Sequence, residues 1–225
     1  ADPDRLASEF PNLDLYHPWL LTVAEGKEIA RVCEQAALDY DAKIENSEGA
    51  VVDSYQGCEV YGNSHGFWGE NRKTQHGISC SVIGQTNGSM QRDYWYSASR
   101  RRKDLEDASE IGRTAGARTV RRLGARKLNT CQVPILFEAP VASSLLSHFI
   151  GAISGGALYR KTSFLLDHLG TSVFPDFVRI HEQPLLPRAM GSAIFDSEGV
   201  ATKARDIVAS GVLEAYVLGS YSARR

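Results

Sequence analysis

ISCSVIGQTNGSMQRDYWYS, residues 78–97, is the stretch that decides the fold. Two runs rich in β-branched and aromatic residues flank Thr86-Asn87-Gly88. Asn-Gly supplies the positive φ angles that a tight two-strand turn needs, so the spacing predicts an antiparallel hairpin. The preceding residues, KIENSEGAVVDSYQGCEVYGNSHGFWG from Lys43 to Gly69, have the same character, with glycines at EG, QG, GNS and HG. Read as turns, these predict a meander of four or five short antiparallel strands. The runs are polar enough to leave one sheet face wet while the other packs on helices.

The helices lie on either side. Between Ala24 and about Tyr40, Ile29, Val32, Cys33, Ala36 and Ala37 recur at helical spacing. A second helical pattern runs from Asp104 to Leu123 through Leu105, Ala108, Ile111, Ala115 and Val120. Its acids fall early and Arg118, Arg121 and Arg122 fall late, the order that suits a helix dipole. Residues 1–22, punctuated by Pro3, Pro11 and Pro18, read as irregular. The fold class is therefore α+β. Residues 1–125 form a helix–meander–helix domain, with a boundary near 124–130. Residues 126–225 form the first part of a second, mixed domain. That second part opens on a strand at Cys131–Phe137, with Pro134 marking an edge, and then a helix at 141–154. Further strands are expected near Phe177–His181, Arg205–Val208 and Val212–Ser220, the last two pivoting on Ser210-Gly211.

The composition is ordinary for a globular chain of 225 residues, 43% hydrophobic and 23% charged, with net charge −2. No apolar run is long enough to span a membrane. The start, ADPDRLASEF, has neither the basic residues nor the apolar centre of a secretory signal, and no initiator Met. A piece of a longer polypeptide is expected. Cys33, Cys58, Cys80 and Cys131 make no CxxC clip, which suits reduced, mostly buried thiols in a cytoplasmic protein. Residues 1–60 carry 13 acids against 4 bases, whereas residues 100–127 carry 10 bases against 4 acids. A basic run of this kind can face nucleic acid, but the dipole ordering explains most of it locally.

The most specific stretch is SLLSHFIGAISGG, residues 144–156. Leu145, Leu146, Phe149, Ile150 and Ile153 make one apolar stripe, with His148 at its edge. A zinc hydrolase needs at least two converging imidazoles and a carboxylate to take a proton from bound water. Here there is one imidazole and no acid between Glu138 and Asp167, so a packed or capping role for His148 is the simpler expectation. His181-Glu182, followed by Gln183-Pro184, reads as a strand end, and His65 in GNSHGF as a structural turn. Arg160-Lys161 is a basic turn that could hold carboxylates of a peptide or partner.

Long motifs also carry a resemblance. GNSHGF (62–67), MQRDYWYS (90–97), ARTVRRLGARKL (117–128), the whole of 133–170, FDSEGVATKARDIV (195–208) and VLGSYSAR (217–224) resemble the PmbA, or TldE, branch of the TldD/PmbA family. That family comprises bacterial proteins of proteolysis and peptide maturation. The resemblance implies an HExxxH zinc helix in the TldD branch. Laid over this chain, its first histidine, glutamate and second histidine fall on Ser147, His148 and Ala152. It therefore implies a non-catalytic subunit with no cofactor of its own. Zinc is expected only in a TldD-like heterodimer partner, and the substrate is a peptide or unfolded polypeptide. Nucleic acid and membrane are not expected as partners. Two other classes remain at this stage: an independent hydrolase with ligands outside the chain, and a non-enzymatic module binding nucleic acid or peptide.

Overall fold

A computed structural model describes residues 2–224. Helix α1 (Val23–Leu38) leads into three strands, β1 (Ile44–Gly62), β2 (Trp68–Thr86) and β3 (Ser89–Ser99), and then α2 (Ala108–Arg122). The strands form an antiparallel sheet in the order β1-β2-β3. The β2–β3 turn is the Asn87-Gly88 hairpin, with both residues at positive φ and Thr86 paired with Ser89. The expected four or five short strands are instead three long ones. The EG glycine is a bulge, Gly49 at φ 107°, where the β1–β2 register slips, and Gln56-Gly57 passes straight through the ladder. Only GNSHGF is a true connection there. The Asn63 side-chain oxygen accepts from the backbone N–H groups of His65 and Phe67 and closes the turn.

Both helices lie on one sheet face. Alternate β2 residues Ile78, Cys80 and Val82 are buried against Cys33 and Ala37 of α1 and Ile111 and Ala115 of α2. The helices approach closely because Gly112 and Gly116 face α1. A Cβ on Gly112 would lie 2.0 Å from the Cys33 carbonyl oxygen, and one on Gly116 2.7 Å from the Tyr40 Cβ. Two of the four cysteines are buried, Cys33 and Cys80, while Cys58 and Cys131 are exposed. A hydrogen bond with Cys80 and burial push the Cys33 thiol well above its ordinary value, so it stays protonated.

The second helix starts later than its periodicity suggests. Asp107 is its N-cap, accepting from the Ser109 backbone N–H at 2.9 Å, and Asp104 sits in a separate 3-10 turn at Arg102–Asp104. Ser109's hydroxyl and backbone N–H hold the Asp107 carboxyl below its ordinary value. A depressed folded value adds stability above the ordinary carboxylate range near ~4, and this is lost as pH falls through the folded value. Asp107→Ala is expected to cost about 1 kcal/mol at neutral pH and almost nothing at acid pH. Urea unfolding at the two pH values checks this; an equal cost at both would contradict the cap.

The remaining chain holds α3 (Ala139–Ala152), α4 (Gly155–Tyr159), β4 (Ile180–Glu182), β5 (Arg205–Ala209), β6 (Val212–Leu213) and α5 (Ser220–Ala223). The three short strands pair antiparallel in the order β4-β5-β6, and Ser210-Gly211, both at positive φ, make the β5–β6 turn. Strand β6 is far shorter than the 212–220 run suggests, because the chain leaves the ladder after Leu213. A second core joins Phe149 of α3 and Ile153, its C-cap, to Leu165, Ile207, Val208 and Leu213. Residues 131–137 form no strand, contrary to their sequence pattern. Their apolar side chains find no pairing strand, and Val133, Ile135, Leu136 and Phe137 stand exposed, Leu136 by 97%.

The N-terminal segment binds both halves. Leu15 accepts from Thr74 of β2, while Leu6 bridges Val200 and Leu13 accepts from Arg188. The Phe10, Phe67 and Phe195 rings meet at centroid distances of 5.2–6.4 Å.

Candidate functional site

Helix α3 is the candidate site, and its surroundings explain its shape. Pro140 sits in its first turn, where a missing N–H costs nothing. Glu138 at its N-cap uses its carboxylate on Arg118 of α2, at 2.8 Å, rather than on the helix end. Arg118 also lies over the Trp95 ring at 5.2 Å and within 3.5 Å of Asp93, so α3 is anchored to the first half through one guanidinium. At its far end Phe149 and Ile153 are buried in the second core. Two glycines then seat the following elements. Gly155 donates to the Val217 carbonyl at 2.8 Å, and a Cβ there would lie 2.1 Å from the Ser222 hydroxyl of α5.

The sequence-derived site residues are brought together on this helix, but not as a catalytic set. Ser147 and His148 are exposed and Ala152 is half-buried. The Ser147 hydroxyl donates to the Ser143 carbonyl at 3.1 Å, and Ser143 and Ser144 likewise bond back to Pro140 and Val141. His148 neither packs nor caps, contrary to the reading of the stripe, because the stripe is buried only from Phe149 onward. Leu145 and Leu146 are 47% and 51% exposed. Tested as a zinc seat, the three positions do not fit: Ser147's hydroxyl is bonded to its own helix, Ala152 has no donor, and His148 offers a single imidazole. Among the described residues no three His, Cys, Asp or Glu side chains converge on a point.

Arg160 and Lys161 follow α4 and are exposed, with Lys161 at φ 55°. Among the described residues neither has an ion pair. His181-Glu182 does close a short strand, β4, and the His181 Nδ1 lies 2.7 Å from Asp206. Arg179 grips the same carboxylate, and with His181 holds Asp206 below its ordinary value. Half of the ten bases at 100–127 are held in ion pairs within the fold. Arg101 pairs with Asp104, Arg102 with Glu25, Arg113 with Glu110, and Arg118 and Arg122 with Asp93.

The sequence reading missed the extent of exposed apolar surface before and on α3, from Leu128 through Leu146. Its signal was present in the two apolar clusters, Val133–Phe137 and Val141–Leu146.

These elements are those of a metallopeptidase-related fold. The family profile described as the PmbA/TldA metallopeptidase central domain matches residues 16–123, and that of the C-terminal domain matches residues 130–225. The chain belongs to this family, the PmbA/TldD metallopeptidases. It is 44% identical over 225 residues to metalloprotease PmbA of Escherichia coli O157:H7, covering all of this chain and 50% of that protein. It is 45% identical to a metalloprotease PmbA homolog of Haemophilus influenzae, with the same coverage. A Bacteroides thetaiotaomicron structure, provisionally named a modulator of DNA gyrase, superimposes with TM-score 0.94 at 31% identity, covering 100% of this chain and 52% of that one. TldE from Thermococcus kodakarensis shares the fold, with TM-score 0.74 at 19% identity over 96% of this chain and 50% of that one. The chain spans about half the length of the curated relatives it matches. No helix among the described residues is long and apolar enough to cross a membrane.

Proposed function

We propose that this chain belongs to a non-catalytic subunit of a TldD/PmbA-type metalloprotease, a heterodimer that cleaves peptides or unfolded polypeptides in the cytoplasm. One observation carries the reading. The helix on which the resemblance lays the family's zinc motif is formed and anchored at both ends, yet it presents Ser147, His148 and Ala152 where metal chemistry needs two imidazoles and a carboxylate. The scaffold is kept and the ligands are not. Zinc belongs to a TldD-like partner, and this subunit's task is to position that partner and close the substrate chamber. Arg160 and Lys161, exposed and without ion pairs among the described residues, are the groups suited to hold a carboxylate of substrate or partner.

The test is peptidase activity on an unfolded polypeptide, with the full-length protein alone and with its TldD-like partner. Cleavage is expected only with the partner and is unchanged by replacing Ser147 and His148 together with alanine. Cleavage by the protein alone, abolished by that replacement, would overturn the reading.

A further inference from the structure

Among the described residues, no helix or strand covers the second face of the sheet β1-β2-β3. Trp95 points to the helix side, where it packs on the core and donates to Glu106 at 3.1 Å. Its neighbours Tyr94 and Tyr96 therefore point the other way, and both are more than half exposed. The register sets out what lies beside them. Val51, Ser79 and Tyr96 form one row across the three strands. Gly49, Ser81 and Tyr94 form the next row to one side, and Asp53, Gly77 and Ala98 the next to the other. Tyr55, opposite Gln75, extends the β1 side.

The result is a shallow trough running along β2. Its floor is Ser81, Ser79 and Gly77. One wall is the stacked pair Tyr94–Tyr96, with ring centroids 6.3 Å apart, and the other is Val51, Asp53 and Tyr55. Gly77 is needed for this shape, since a Cβ there would lie 2.5 Å from the Asp53 carboxylate. Charge on the face is one-sided. At one end Arg92 is taken by Glu48, which also accepts from Ser81, and at the other Lys73 is taken by Glu59. Between them Asp53 has no cationic partner among the described residues.

We propose that this trough binds an extended polypeptide segment that carries an arginine or lysine next to an aromatic residue. The tyrosine faces attract both an aromatic ring and a guanidinium, and Asp53 supplies the carboxylate that pairs with the cation. The floor of small residues lets a backbone lie close to the sheet. Tyrosine stacking alone would also suit a single-stranded nucleic acid. Phosphates here would meet Asp53, Glu48 and Glu59, with both cations of the face already paired, so charge selects the polypeptide.

The experiment is fluorescence anisotropy on the full-length protein with two short fluorescein-labelled peptides, one carrying arginine between two phenylalanines and one with citrulline in its place. The arginine peptide is expected to bind the more tightly. Asp53→Asn should weaken it about tenfold while leaving the citrulline peptide unchanged, and Tyr96→Ala should weaken both. Equal binding of the two peptides, indifference to Asp53→Asn, or tighter binding of a single-stranded oligonucleotide would each overturn the proposal. The measurement needs neither zinc nor a catalytic partner, so it fails or succeeds separately from the peptidase reading.

Discussion

Replacing Gly112 with alanine is expected to unfold or severely destabilise the first half of the protein, by about 3 kcal/mol or more. The new Cβ would sit 2.0 Å from the Cys33 carbonyl oxygen and 3.0 Å from the Ala37 backbone nitrogen. Both atoms belong to the backbone of α1, so no side-chain rotation relieves the overlap. The helices must separate, and the core of Cys33, Ala37, Ile111 and Ala115 loosens with them. Gly151→Ala supplies the contrast. It also lies inside a helix, α3, but nothing stands within 4 Å of the Cβ position. There alanine should stabilise, by about 0.5–1 kcal/mol, through reduced backbone freedom in the unfolded chain. Urea unfolding of both variants reads the two signs; a neutral Gly112→Ala would contradict the helix packing described.

Arg100→Ala is the second large effect. Arg100 is 4% exposed, and its guanidinium donates to the Thr74 carbonyl at 2.9 Å and the Met190 carbonyl at 2.6 Å. Among the described residues no carboxylate neutralises it, and burial lowers its pKa. Keeping a charge there is costly, yet removing it strands two carbonyls and opens a cavity between β2 and the loop near residue 190. The lost charge-assisted bonds and the cavity outweigh the relief of desolvation, for a net loss of about 3 kcal/mol. Lysine should recover little, because one ammonium cannot serve both carbonyls in the fork geometry. Thermal unfolding together with proteolysis near Met190 measures this, and a variant within about 0.5 kcal/mol of the parent would refute the staple.

What the sequence could disclose depended on whether the deciding contacts were local. Helix α1 and the Asn87-Gly88 hairpin are set by residues a few positions apart, and both were legible. The one-sided packing of the sheet was legible too, from the polar alternation of its strands. Gly49 and Gly57 misled because a glycine in a strand and a glycine in a turn look alike until the register is known. Cys131–Phe137 misled in the opposite way. Its residues favour a strand, but a strand exists only where another pairs with it, and pairing is not a local property. At the candidate site, the residue types at Ser147, His148 and Ala152, a single imidazole and no carboxylate, were legible residue by residue. The exposure of His148 was not, since burial on α3 begins one residue later, where the second core reaches it. The trough on the sheet is also non-local: Tyr96, Ser79 and Val51 become neighbours only through two strand registers.

The most direct test is the zinc content of the full-length protein, purified without a TldD-like partner and measured by elemental analysis after dialysis against a weak chelator. The account predicts no zinc, with stoichiometric metal appearing only when the partner co-purifies. Stoichiometric zinc in the protein alone would place an active site elsewhere in its length and contradict the reading of α3 as a scaffold without ligands.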